Sequence, residues 1–150
     1  MTATHGVPDL ELRFADPDDP GIAEEFELRR RVLAEPLGLV PGEVRFAFEP
    51  QSLRLWARAG GRLVGCVLFH REGESGRLYQ MAVDQALDRR GVGRALVERL
   101  HDELRARGVR SVWLNALGPV VGFYERLGYA PEGAPFVEVG IEHRRMTLAL

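Results

Sequence analysis

The chain has 150 residues, 45% of them apolar and 28% charged, with a formal net charge of −2. These proportions suit one globular domain over residues 1–150 and argue against disorder. The near-neutral balance argues against a general nucleic-acid binder, and no apolar run approaches the ~20 residues of a membrane helix.

The basic residues are all Arg, since Lys is absent, and Cys66 is alone, so neither an internal disulfide nor a Cys-based zinc site can form. Met1 to Leu10 has no basic head and no apolar core, so no secretory signal is read there and a cytoplasmic location is expected. His5 falls in this terminal stretch. Leu10, Leu12 and Phe14 alternate with Glu11 and Arg13, which is the period of a strand. Asp16-Pro17-Asp18-Asp19-Pro20-Gly21 breaks it. With Glu27 this run nearly fits a calcium loop, but Pro20 replaces a ligand and a strand precedes it, so a turn into a helix is expected. Ile22 to Leu33 reads as that helix, with Ile22, Phe26, Arg29 or Arg30, and Leu33 on one side. Arg29-Arg30-Arg31 then reads as a solvated face.

Pro36 to Pro50 is loop-rich, with room for a short helix. Leu53 to Arg58 alternates, Gly60-Gly61 is a hairpin turn, and Leu63 to Phe69 is a continuous apolar strand. In that strand Cys66 reads as a buried, inert thiol. A second turn at Glu72 to Gly76 leads to a strand over Arg77 to Val83. Gly91 to Arg107 is the strongest helix: Val92, Leu96, Leu100 and Leu104 recur at four-residue steps, and Gly108 ends it. Ser111 to Leu117 is a strand. Pro119 opens a short helix with Val120, Phe123, Tyr124 and Leu127 on its apolar side. Phe136 to Val139 and Met146 to Leu150 complete the chain as strands joined near Gly140 to Arg144.

Two segments carry chemistry. Leu87-Asp88-Arg89-Arg90-Gly91-Val92-Gly93-Arg94-Ala95 follows a strand and opens the strongest helix. Glycines there let backbone approach a ligand, and the free N–H groups at the helix start favour an anion. Arg89, Arg90 and Arg94 add donors suited to phosphate oxygens. The segment is neither a P-loop nor a full dinucleotide fingerprint, and a plain Gly-rich loop with solvated Arg is the bland alternative. The second segment runs from Asn115 to Tyr129 and contains Phe123-Tyr124 followed by Gly128-Tyr129.

Taken together, in this order and at this separation, the two segments resemble the GNAT superfamily of acyl-CoA-dependent N-acetyltransferases. The resemblance covers Leu10 to Leu150. It implies an α/β fold, with a mixed, mostly antiparallel central sheet of six or seven strands flanked by helices. Acetyl-CoA is implied as co-substrate, with no metal. Met81, Ala82 and Val83 would lie along the pantetheine arm through their backbones. Arg89, Arg90, Gly91, Val92, Gly93, Arg94 and Ala95 would hold the pyrophosphate, while Asn115 and Phe123 would line the pantetheine side and the channel near the sulfur. Asp88 stands where the family usually carries Gln or Arg; it is expected to point away from the phosphates and to cap the following helix.

The implied chemistry is acyl transfer from a thioester to a neutral amine. A backbone N–H near Met81 to Val83 would stabilise the developing oxyanion. The leaving thiolate, with a pKa near ~8.5, would take a proton from a phenol near ~10, and Tyr124 is the candidate acid. Without the resemblance Tyr124 would read as a core aromatic. Glu138 and His143, the latter in the Gly140-Ile141-Glu142-His143 turn, are the candidate bases, with His70 and Glu72 behind them. The expected acceptor is a primary amine of a small molecule. No nucleic-acid or membrane partner is expected, and a homodimer, common in the family, stays open. Pro36 to Pro50 and the final hairpin are expected to shape the acceptor pocket. A non-catalytic acyl-CoA-binding module and a protein N-acetyltransferase are the rival readings. Lacking Lys, the chain offers no side-chain amine for self-acetylation.

Overall fold

The computed structural model describes residues 6–40 and 45–150. The strands are β1 (Leu10–Phe14), β2 (Leu53–Ala59), β3 (Arg62–Glu72), β4 (Ser75–Val83), β5 (Ser111–Leu117), β6 (Ala130–Glu138) and β7 (Ile141–Ala149). The helices are α1 (Ile22–Arg29), α2 (Val92–Ala106) and α3 (Val121–Arg126). The strands form one sheet in the order β1-β2-β3-β4-β5-β7-β6. All neighbours run antiparallel except β4 and β5. This is the mixed, helix-flanked sheet that the sequence implied.

The amphipathic stripe of α2 explains its place. Val92, Leu96, Val97, Leu100 and Leu104 are buried on one face of the sheet, against Val64, Val67 and Phe69 of β3 and Leu78 of β4. On the other face α1 packs through Leu28 onto a smaller cluster of Trp56, Leu63, Cys66 and Ala82. Gly60 and Gly61 both adopt positive φ (57° and 79°), which lets a two-residue turn join β2 to β3. None of the described helices is long and apolar enough to cross a membrane.

Several sequence expectations need correction. The fully buried side of α1 is Glu25, Leu28 and Arg29; of the expected side Arg29 is buried, while Ile22 and Leu33 pack half-buried against the Trp56 cluster and Phe26 is only partly buried. Arg29 is therefore no part of a solvated face, whereas Arg30 and Arg31 keep more than a third of their side chains exposed. The helix does run on, as one widened turn over Arg30–Ala34. Pro36 to Pro50 contains no α-helix among its described residues, only single 3-10 turns at Glu35–Leu37 and Glu49–Gln51. Residues 41–44 and His5 lie outside the described residues. β6 and β7 begin earlier than expected and meet in a tight turn at Val139-Gly140, not in a loop over Gly140 to Arg144. β6 is an edge strand whose residues are mostly exposed, so its sequence carries no apolar alternation to read.

The parallel pair β4 and β5 positions everything that follows. The two strands share a single rung, Arg77 opposite Trp113. Beyond it they separate, and a wedge opens toward Val83 and Leu117.

Candidate active site

The wedge is a cleft of about 980 Å³, within the range of small-molecule sites. Tyr79, Gln80, Met81 and Val83 line it from β4, and Leu114 to Leu117 from β5. Here β4 carries a bulge. Cys66 pairs with Ala82 and Leu68 with Tyr79, so Gln80 and Met81 together oppose Val67 alone. Gln80 sits at φ 52°. Bulges of this kind re-aim backbone and side chains beside a site. Gln80, Arg89 and Val139 are three of the four described non-glycine residues with positive φ, and all three line the cleft. Strain is thus stored around this cavity.

At the wide end, α2 begins without a side-chain cap. Its N-cap is Gly91, at φ 84°. The first-turn N–H groups therefore remain available to an anion. A Cβ on Gly93 would stand 3.2 Å from the Phe123 ring and 3.7 Å from Val83, so this glycine lets the helix start close in on both. Arg89, Gly91, Val92, Gly93 and Arg94 line the cleft. Arg94 also pairs with Glu98 at 3.0 Å. Three expected residues do not line it. Arg90 turns toward the Gly6 carbonyl, Ala82 is buried in the α1-side cluster, and Ala95 lies beyond the first residues of α2. Asp88 does not cap α2; it lines the cleft beside Arg89.

Tyr124 projects from α3 and joins core and cleft. It is 6% exposed, edge-to-face on Phe123 at 4.9 Å and on Tyr129 at 5.6 Å. Burial pushes its phenol well above the ordinary value, so the hydroxyl keeps its proton. Tyr129 is fixed in turn by a 2.7 Å hydrogen bond between its hydroxyl and His101 Nε2 on α2. Burial, reinforced by the nearby Arg105, lowers the His101 pKa from 6.5 to about 4. The unfolded chain takes up a proton near pH 6.5 that the folded state resists. The stability tied to this neutral imidazole is therefore present above pH ~6.5 and is lost as the pH falls through about 4, by on the order of 1–3 kcal/mol. Thermal melts between about pH 7.5 and 4.5 should show a shallower decline for His101→Gln than for wild type.

At the other end the structure brings His143 and Glu138 together, with Asn115 along the same wall. His143 lies within β7, not in the turn, and stacks on Phe136. In the neutral ring Nδ1–H donates to the Ile141 carbonyl at 2.7 Å, which leaves Nε2 as the basic nitrogen. Nε2 is 3.9 Å from Glu138 Oε1. Asn115 Oδ1 accepts from Arg145 Nε at 3.4 Å. His70 stacks on Phe48, and Glu72 accepts from Trp113 Nε1, so neither lines the cleft.

Two features escaped the sequence. One is Arg77, which lines this end together with Phe46 and Tyr79. The other lies under the bulge: Arg29 Nε donates to Gln80 Oε1 at 2.9 Å. Arg29 also pairs with Glu25 and Glu49, and Glu25 binds Arg54 and Trp56, all buried. A buried Glu-Arg network has the composition of a surface, so only the spacing of Glu25 and Arg29 on one face of α1 hinted at it.

Residues 40–150 match the family model described as an acetyltransferase (GNAT) domain. Among solved structures, the chain resembles a Lactobacillus plantarum protein assigned as an N-acetyltransferase, with 19% identity, TM-score 0.84, and coverage of 94% of this chain and 98% of that one. It also resembles the ribosomal-protein-S18-alanine N-acetyltransferase of Escherichia coli, with 22% identity, TM-score 0.72, and coverage of 93% and 94%. A third likeness is to an aminoglycoside 6'-N-acetyltransferase complexed with coenzyme A, with 18% identity, TM-score 0.74, and coverage of 93% and 96%.

Proposed function

The chain belongs to the GNAT acetyltransferase family, and on that premise we propose that it transfers an acetyl group from acetyl-CoA to the primary amine of a small molecule, with Tyr124 as general acid. The observation that carries this reading is the wedge between β4 and β5. It joins an uncapped, arginine-flanked helix start to the largely buried Tyr124 in one continuous cavity. Acetyl-CoA would supply the activated thioester. The space kept by Gly93 and the free amides after Gly91 fit a pyrophosphate, with Arg89 and Arg94 as charged donors. The β4 edge beyond Arg77, unpaired with β5, fits an extended pantetheine arm. A backbone N–H at the Gln80-Met81 bulge would serve as the donor for the developing oxyanion. Tyr124 would give its proton to the departing thiolate, and His143 Nε2, with Glu138 beside it, would take the proton from the amine. Leu37, Leu39 and Phe46 on one side and Val139 and His143 on the other wall the cleft, which supports a small acceptor.

The direct test is thiol release from acetyl-CoA across a library of amines. Turnover on small amines supports the reading. Binding of acetyl-CoA without turnover would favour a non-catalytic acyl-CoA-binding module, and turnover on peptide amines alone a protein N-acetyltransferase. The paired change Arg89→Gln with Arg94→Gln should raise KM for acetyl-CoA about 10- to 100-fold, because each lost charge-assisted bond costs roughly 1.5–3 kcal/mol, part of it already absorbed by Glu98. Initial rates at varied acetyl-CoA check this, and an unchanged KM would remove both arginines from the site.

A further inference from the structure

We propose that Arg77 is the acceptor-binding residue for a carboxylate, so that the substrate is an amine that also carries a carboxylate group. This rests on the acetyltransferase reading above and narrows it to a substrate class.

The observation is a guanidinium that its surroundings leave unsatisfied. The Arg77 side chain is 16% exposed, and its Nε is buried with no hydrogen-bond partner. Among the described residues its only ion pair is a long one, from Nη2 to Glu138 Oε1 at 3.8 Å. The rest of its shell is aromatic, with Phe46 at 5.0 Å, Tyr79 at 6.0 Å and Trp113 at 5.1 Å. Rings orient a cation by their faces but accept no in-plane hydrogen bonds. Arg77 lines the cleft, and apart from the long pair with Glu138 its terminal N–H donors have no hydrogen-bond acceptor among the described residues.

The neighbours add to the positive potential. Arg145 stands 4.1 Å from the Trp113 ring and is held by Asn115. Of the nearby carboxylates, Glu72 is engaged by Trp113 Nε1, and Glu138 is 42% exposed and shared with His143. A carboxylate bound by the two Nη groups of Arg77 would give the guanidinium the charge-assisted partners that its surroundings lack. The same cleft holds Glu138 and His143 for the amine, so one acceptor can present an ammonium-derived nitrogen to these and a carboxylate to Arg77. The placement has a cause in the fold. Arg77 occupies the one rung where β4 and β5 still pair, so the cation is anchored at the apex of the wedge.

The test compares glycine, β-alanine and phenylalanine with their carboxamides as acceptors, in wild type and Arg77→Met. Comparing the ratio between proteins cancels differences in amine basicity. The kcat/KM ratio of carboxylate to carboxamide should fall about 10- to 100-fold in Arg77→Met, mainly through KM. An unchanged ratio with transfer still proceeding would overturn the proposal and leave the acetyltransferase reading standing. If no amine is acetylated, that reading fails, and the carboxylate site is judged by titrating the same acids against the fluorescence of Trp113, which touches Arg77. A saturable change with the acids, absent with the amides and absent in Arg77→Met, supports the site; no change overturns it. Should Arg77→Met not fold, Arg77→Lys keeps the charge without the fork and must still lower the ratio. A preference for phosphate-bearing over carboxylate-bearing amines would overturn the assignment to carboxylate.

Discussion

Tyr124→Phe is expected to lower kcat by about a hundredfold or more, with KM for acetyl-CoA nearly unchanged. The change removes one oxygen. The ring stays, pinned edge-to-face between Phe123 and Tyr129. Among the described residues no hydrogen bond to the Tyr124 hydroxyl is formed, so its loss orphans no partner, and the melting temperature should hold. In the proposed mechanism, what disappears is the proton for the thiolate. Expulsion of an unprotonated thiolate beside Tyr124 would be disfavoured, because the desolvation that raises the phenol pKa disfavours a thiolate too. Initial rates with saturating acetyl-CoA, beside a thermal melt, separate the two effects. A kcat within about threefold of wild type would end the general-acid role, since a positioned acid contributes about a hundredfold or more.

The second large effect concerns stability. Glu25→Ala should cost about 3–5 kcal/mol. Glu25 is fully buried and accepts from Arg29 Nη1 at 2.9 Å, Arg54 Nε at 2.5 Å and Trp56 Nε1 at 2.7 Å. Its removal leaves two buried guanidiniums with less negative charge, because Glu49 is the carboxylate that remains to both among the described residues. A domain of this size has about 5–15 kcal/mol in total, so the variant would sit near the edge of folding, with a melting temperature lower by roughly 10 °C. Glu27→Ala on the same helix removes only an exposed pair with Arg30 and should cost less than about 1 kcal/mol. Urea denaturation of the two variants side by side tests this, and equal losses would show that burial of the network does not matter.

Much of this was legible in the sequence, for physical reasons that differ by element. Central strands and α2 have strong periods, because each has a face that must be buried. The Gly91-Val92-Gly93 turn and the Phe123-Tyr124 pair were legible because their work is local: backbone freedom at a helix start, and aromatics on one side of a short helix. The edge strand β6 was legible only at its end, since solvent constrains its residues little. The buried face of α1 was read only in part, because Glu25 and Arg29 satisfy each other inside the fold yet look like surface in a list of residue types. The bulge at Gln80 left no trace, as neither Gly nor Pro marks it. Arg77 is far along the chain from Glu138 and His143, which share one hairpin, and only the sheet order β4-β5-β7-β6 makes it their neighbour.

The lone rung between β4 and β5 has a mechanical meaning. The sheet is two panels, β1 to β4 and β5 to β6, hinged at the Arg77 and Trp113 rung and at the Glu74 carbonyl, which accepts from the Arg110 and Ser111 amides, with helices packed across them. A ligand that lies extended in the gap and pairs with a strand edge works as a splice. The seam should then be the first place where amide protons exchange in the empty protein and the place most slowed by coenzyme. Acetyl-CoA would so act as a structural member as well as a reagent, and the rigidity of the sheet would follow its concentration.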